Sequence, residues 1–98
     1  MQNANLEAHS LQHHMIRIGH HLLLLGHRNR DPVLRAYVCE SLHSLFTGEE
    51  WIVFCPQLVQ ALKWDILDDN ALIRLLFTQS IRDKRFAYTF YWQLQVFI

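Results

Sequence analysis

Asp31-Pro32 is the feature that most limits what this chain can fold into. An aspartate followed by proline supplies an N-cap and a first-turn residue whose missing N–H costs nothing there, so the pair opens a helix. Inside a helix the same proline would break it. Glycine occurs three times and proline twice in 98 residues, and Gly26, Gly48 and Pro56 also fall at the edges of apolar segments. Between these points the apolar residues recur at three- and four-residue spacing rather than alternating, which is the helical period. The pattern predicts five helices and no strands.

The first helix is expected over roughly residues 5–25, stopped by Gly26. The second, 33–46, aligns Leu34, Val38, Leu42 and Leu45 on one face and ends at Thr47-Gly48. The third starts near Glu49-Glu50, whose charges suit a helix N-terminus, and runs to about Lys63. Pro56 should either kink it or mark its true start. Asp68-Asp69-Asn70 reads as the cap of a fourth helix, 71–82, and a fifth, about 85–95, carries Phe86, Tyr88, Phe90, Tyr91 and Trp92. Short loops predict antiparallel neighbours. The fourth helix is apolar on nearly every side, through Leu72, Ile73, Leu75, Leu76, Phe77 and Ile81, and is expected to be covered on several faces. Stacked helical pairs would provide that cover. The second and third helices, and the fourth and fifth, make pairs of solenoid-repeat length, although they show no self-similarity beyond apolar spacing.

The balance of nine basic and nine acidic side chains lacks the footprint of a nucleic-acid binder. No apolar run reaches the ~18–20 residues of a membrane span, and the N-terminus lacks a secretory layout, so a cytoplasmic location is expected. Cys39 and Cys55 are too few for a disulfide framework and read as buried reduced thiols. Trp51, Trp64 and Trp92 read as core or interface anchors. Three isolated glycines make no phosphate loop, and Ser10, Ser41, Ser44 and Ser80 stand in no nucleophile-elbow context. The mixed-charge turn Arg82-Asp83-Lys84-Arg85 reads as solvated. Seven histidines are unusual, and six lie in the first 27 residues. At about 100° per residue, His9, His13, His20 and His27 share a sector of about 40° on the first helix, opposite Leu11, Met15, Ile18, Leu22 and Leu25. A metal site on His9, His13 and His20, a pH-sensing stripe, and a plain polar outer face are the three readings. The last requires least, and no HExxH order is present.

From Asp31 onward four blocks follow one another: DPVLRAYVCESL, PQLVQALKWD, DNALIRLLF and an aromatic helix ending YWQL. Their order resembles the accessory helical (PIK) domain of phosphatidylinositol kinases. The matching positions are Asp31, Pro32, Leu34, Arg35, Tyr37, Val38 and Leu42, then Gln57 to Asp65, then Leu72, Arg74, Leu75 and Leu76, then Ala87, Tyr91, Trp92 and Leu94. Trp64-Asp65 stands where Tyr-Glu is commoner, and Ser80-Ile81 where Ala-Leu is commoner. The 3-kinase branch fits better than the 4-kinase branch through Leu72 to Leu76.

The resemblance implies an all-α fold, a right-handed α-α superhelix of the armadillo/HEAT solenoid kind. Residues 27–98 would be a partial accessory domain, and 1–26 an unmatched His-rich helix. The segment would be a non-catalytic scaffold whose partners are the C2 and kinase domains of a parent lipid kinase and a regulatory subunit, with membrane contact only peripheral through that parent. It implies no catalytic residue and no cofactor in these residues, with ATP and Mg2+ confined to a kinase domain that this chain does not contain. Arg35, Gln57, Gln60, Lys63, Trp64, Arg74 and Trp92 are the expected scaffold and interface residues. The competing readings are a free-standing helical interaction module and, behind it, a metal-binding histidine stripe.

Overall fold

The computed structural model describes residues 2–26, 31–67 and 70–97; for 2–6, 64, 66, 67 and 97 the backbone alone is described. Among the described residues the fold is all-α, with no strand. The elements are α1 (Gln2–Gly26), α2 (Pro32–Leu45), α3 (Gly48–Val53), α4 (Cys55–Ala61), a 3-10 helix (Leu62–Leu67), α5 (Ala71–Arg82) and α6 (Lys84–Phe97).

The local chemistry explains most boundaries. The Asp31 carboxylate accepts from the Val33 and Leu34 N–H groups at 3.0 and 3.4 Å, with Pro32 in the first turn of α2. Thr47 and Glu50 form a reciprocal capping box at the start of α3, so the Thr47-Gly48 pair both closes one helix and opens the next. The single third helix expected from the sequence is two helices. The break falls at Phe54, whose backbone (φ −95°, ψ 7°) leaves the helical region. Pro56 therefore sits in the first turn of α4, where its missing N–H is harmless, and it marks a start rather than a kink. The connection out of α4 tightens into the 3-10 helix before α5.

α5 and α6 pack together, α2 packs on α1 and α5, and α4 packs on α1 and α6. The closest backbone approaches of α2 are thus to α1 and α5 rather than to the helices that follow it directly. Ile18 and Leu25 of α1, Leu42 of α2, Leu58 of α4, Leu72 and Leu76 of α5, and Phe86 of α6 fill one core. Trp51 bridges its aromatic part, edge-on to Phe46 at 4.9 Å and to Phe86 at 5.8 Å. Cys39 and Cys55 are buried free thiols in the same core.

One burial expectation needs correction, that for α5, and α1 shows a similar limit. The apolar side of α1 is covered only in its C-terminal half: Ile18 and Leu25 are buried, whereas Leu11 is 61% exposed and Met15 45%. At 1.5 Å per residue α1 is about 37 Å long and α2 about 21 Å, so the early turns outrun their partner. α5 is not enclosed all round either. Leu72 and Leu76 face the core, but Phe77 is half-exposed and Ile81 is 87% exposed.

Asn70 adopts the left-handed conformation (φ 58°, ψ 28°) just before α5. Asparagine tolerates this region, and a β-branched residue does not. Asn70→Gly is expected to leave urea stability within about 0.5 kcal/mol of the parent, and Asn70→Val to lower it by about 1–2 kcal/mol.

Candidate functional site

The most constrained polar cluster joins α2 to three other helix ends. Arg35 projects from the second turn of α2 and is 2% exposed. Its Nη1 donates to the Leu25 carbonyl at 2.8 Å, its Nη2 to the Ala61 carbonyl at 2.9 Å, and its Nε to Asp65 Oδ1 at 3.3 Å. Leu25 and Ala61 lie in the last turns of α1 and α4, where carbonyls have no intrahelical partner and a cation matches the negative end of the helix dipole. Asp65, equally buried, turns its carboxylate to the other kind of helix end. Oδ1 and Oδ2 accept from the Leu72 and Ile73 N–H groups, each at 3.1 Å, in the first turn of α5.

Asp65 therefore performs the capping expected of Asp68-Asp69-Asn70. Asp68 and Asp69 lie outside the described residues, and the Asn70 side chain makes no cap hydrogen bond. The Asn70 carbonyl instead accepts from the Arg74 N–H, with the Arg74 Nε at 3.4 Å.

A second polar link holds α1 to α3. His14 Nε2 donates to Glu50 at 2.7 and 2.9 Å from its two carboxylate oxygens, while Glu50 also accepts from the Thr47 N–H at 2.9 Å. Burial pushes the Glu50 carboxyl up, but the Thr47 backbone, the His14 ring and the Thr47 hydroxyl outweigh it, and the group titrates below the ordinary carboxylate range. On the surface Arg85 pairs with Glu49 at 2.9 Å and Arg82 meets His43 at 3.1 Å, so the charged turn is tied to other helices as well as being solvated.

The other residues singled out from the sequence sit as follows. Gln57, Gln60 and Lys63 are exposed and line an open groove of about 310 Å³ with Gly19, Leu22 and Leu23 of α1. Neither glutamine side chain is hydrogen-bonded among the described residues, and among these residues neither ties one helix to another. Arg74 is exposed, and the Trp64 side chain lies outside the described residues. Trp51 is buried, but Trp92 is 52% exposed and belongs to an outward stripe. Tyr88, Tyr91, Trp92 and Val96 follow one another at helical spacing on the side of α6 opposite Phe86 and Phe90. His9 and His13 are exposed and stack at 5.9 Å, and His20 is exposed. Among the described residues no three histidines, cysteines or carboxylates gather into a group that could hold a metal ion. His27 lies outside the described residues.

Asp65, His14 and Glu50 make links between helices that motif reading did not foresee. Asp65 could have been found from Arg35: a buried arginine requires a carboxylate, and Asp65 stands inside the same family-like blocks.

Comparison with known proteins follows the same blocks and extends beyond them. A family model described as the phosphoinositide 3-kinase family accessory domain (PIK domain) matches residues 2–98, α1 included. The human phosphatidylinositol 4-phosphate 3-kinase C2 domain-containing subunit beta is 39% identical over 65 residues, which is 66% of this chain and 4% of that protein. Phosphatidylinositol 3-kinase age-1 of Caenorhabditis elegans is 30% identical over 74 residues, 76% of this chain and 6% of that protein. The chain thus spans only a small fraction of the length of either relative. No solved structure matches it significantly.

Removing one member of a buried ion pair leaves the other charge without compensation. Asp65→Ala and Arg35→Ala are each expected to cost about 3–5 kcal/mol in urea unfolding, and the double variant less than the sum of the two. Asp65→Asn, which keeps an acceptor for α5, should cost less than Asp65→Ala. Because the folded Glu50 titrates low, its contribution is complete above the ordinary carboxylate range and lost as pH falls through the folded value. Glu50→Gln should therefore flatten the acid limb of the stability profile and, by removing the charge that His14 donates to while keeping the capping box, cost about 1 kcal/mol at neutral pH.

Proposed function

Because this chain belongs to the phosphoinositide 3-kinase accessory (PIK) domain family, we propose that it is a non-catalytic helical scaffold segment that packs against the C2 and kinase domains of a lipid kinase. The observation that carries this reading is the two-sided α6. Its inward face, Phe86 and Phe90, is fully committed to the core, while its outward face presents Tyr88, Tyr91, Trp92 and Val96 to solvent. Contiguous exposed aromatic surface on a helix marks a contact with another protein surface.

On this reading ATP and Mg2+ are held by the kinase domain, and the chemistry is the transfer of a phosphoryl group to an inositol lipid carried out there. The segment resides in the cytoplasm and reaches the membrane only through its parent; among the described residues no helix is long and apolar enough to cross one. Gln57 and Gln60, with amides unused among the described residues, serve as ties to a neighbouring domain. The packing of α2 on α5 and of α4 on α6 supports a superhelical stack of the armadillo/HEAT kind.

Mixed with separately produced C2 and kinase domains of a phosphoinositide 3-kinase, the chain is expected to form a complex with at least one of them in sedimentation experiments. Trp92→Ala should weaken that complex at least tenfold, the loss of one aromatic anchor. Lipid phosphorylation by the 98-residue chain alone should be nil. A monomeric chain that melts cooperatively and binds neither domain would favour a free-standing interaction module instead.

A further inference from the structure

α1 and α2 enclose an open groove of about 590 Å³ that has no part in the buried clamp or in the α6 stripe. Its walls are two matched helical faces. α1 contributes His14, Arg17 and His21, and α2 contributes Tyr37, Ser41 and Ser44, each set at three- and four-residue spacing. Every one of these side chains carries a hydrogen-bonding group, and none is a carboxylate.

Few of them are committed to partners among the described residues. Thr78, Ser80 and Thr89 each donate to the carbonyl four residues back, the ordinary resting place of a helical hydroxyl. Ser41 and Ser44 do not, and among the described residues the Arg17 guanidinium and the Tyr37 hydroxyl have no partner either. Hydrogen bonds set which ring nitrogen of each histidine carries the proton when the ring is neutral. His21 Nδ1 lies 2.7 Å from the Arg17 carbonyl and must donate to it, so its Nε2 is left as an acceptor in the neutral ring. His14 gives its Nε2–H to Glu50, which leaves Nδ1 in the same state. Glu50 lies outside the groove lining and is occupied by the Thr47 N–H as well.

The groove thus combines a guanidinium and three hydroxyl donors with two ring nitrogens able to accept. A fully ionised oxyanion such as sulfate can only accept. A phosphate monoester near neutral pH exists partly as the hydrogen phosphate, which offers several acceptor oxygens and one O–H donor. It satisfies both kinds of wall, and its charge answers Arg17 in the planar, two-pronged manner that guanidinium groups provide. We propose that the groove between α1 and α2 is a phosphate-binding site, centred on Arg17, Ser41 and Ser44, for a phosphate group that is either free or carried on a polyol headgroup. The volume leaves space beside the phosphate for such a headgroup.

The test is a heteronuclear NMR titration of the isotope-labelled chain with sodium phosphate, sodium sulfate and inositol monophosphate at matched ionic strength. Phosphate should produce saturable shifts centred on Arg17, Ser41 and Ser44, with sulfate at least about tenfold weaker. Tighter binding of inositol monophosphate than of phosphate would assign the site to a headgroup, and equal binding to the phosphate group alone. Arg17→Gln should weaken phosphate binding by about 10- to 100-fold, the range for a hydrogen bond to a charged group. Arg17 is exposed, so the helical circular dichroism should be unchanged; should it change, the Ser41→Ala, Ser44→Ala double variant decides in its place. Absence of saturable shifts, equal affinity for sulfate, or a folded variant that binds phosphate as well as the parent does would each overturn the proposal.

Discussion

One guanidinium, that of Arg35, satisfies the ends of two helices and is itself held by a carboxylate that satisfies the start of a third. Helix ends are the weak points of an all-α fold, since each leaves backbone groups without partners and those groups cannot be buried bare. Here α1, α4 and α5 converge on α2, and the pair Arg35–Asp65 allows their ends to be buried together. Desolvating two charges is costly, and their mutual attraction alone does not make such a pair stabilising. The remaining hydrogen bonds decide the balance: two carbonyls and two N–H groups at helix ends find a partner in the pair. The capping box and His14–Glu50 repeat the device in weaker form at the edge of the fold.

Much of this was legible in the sequence. Asp31-Pro32, Gly26 and Thr47-Gly48 placed the starts and stops of the helices to within a residue or two, because capping and proline chemistry are local. The family-like blocks carried both Arg35 and Asp65. What escaped was everything decided at long range. Pro56 could not reveal whether the helix before it would bend or stop, since that depends on how Trp51 packs on Phe86 of α6 and Phe54 on Phe46. Asp68-Asp69-Asn70 has the composition of a cap, yet the carboxylate that caps α5 comes from Asp65, delivered by the 3-10 turn.

Apolar content misled in the same way for α5. A helix apolar on nearly every side was expected to be wrapped on several faces, but Ile81 and Phe77 stay in solvent. Composition measures how much apolar surface a helix owns, not how much of it the rest of the chain can reach. The histidines were conspicuous by number, yet the one with the clearest structural task, His14, lies outside the sector that His9, His13, His20 and His27 share. Its role is visible only once α3 brings Glu50 alongside.

The two buried thiols flank this arrangement. Cys39 sits on α2 near the clamp, its thiol pushed up to about 11 by burial, with Arg35 pulling it down and Asp65 adding to the rise; burial alone does the same for Cys55 on α4. Only a trace of either is thiolate at neutral pH, and alkylating reagents attack the thiolate. Each cysteine is therefore a clock that runs only while its neighbourhood is open. If Cys39 and Cys55 react at one common rate, the clamp and α4 come apart in a single event. If Cys55 runs ahead, α4 breathes while the junction on α2 stays shut, and the ratio of the two rates measures how far the cluster of helix ends is the last part of the molecule to let go.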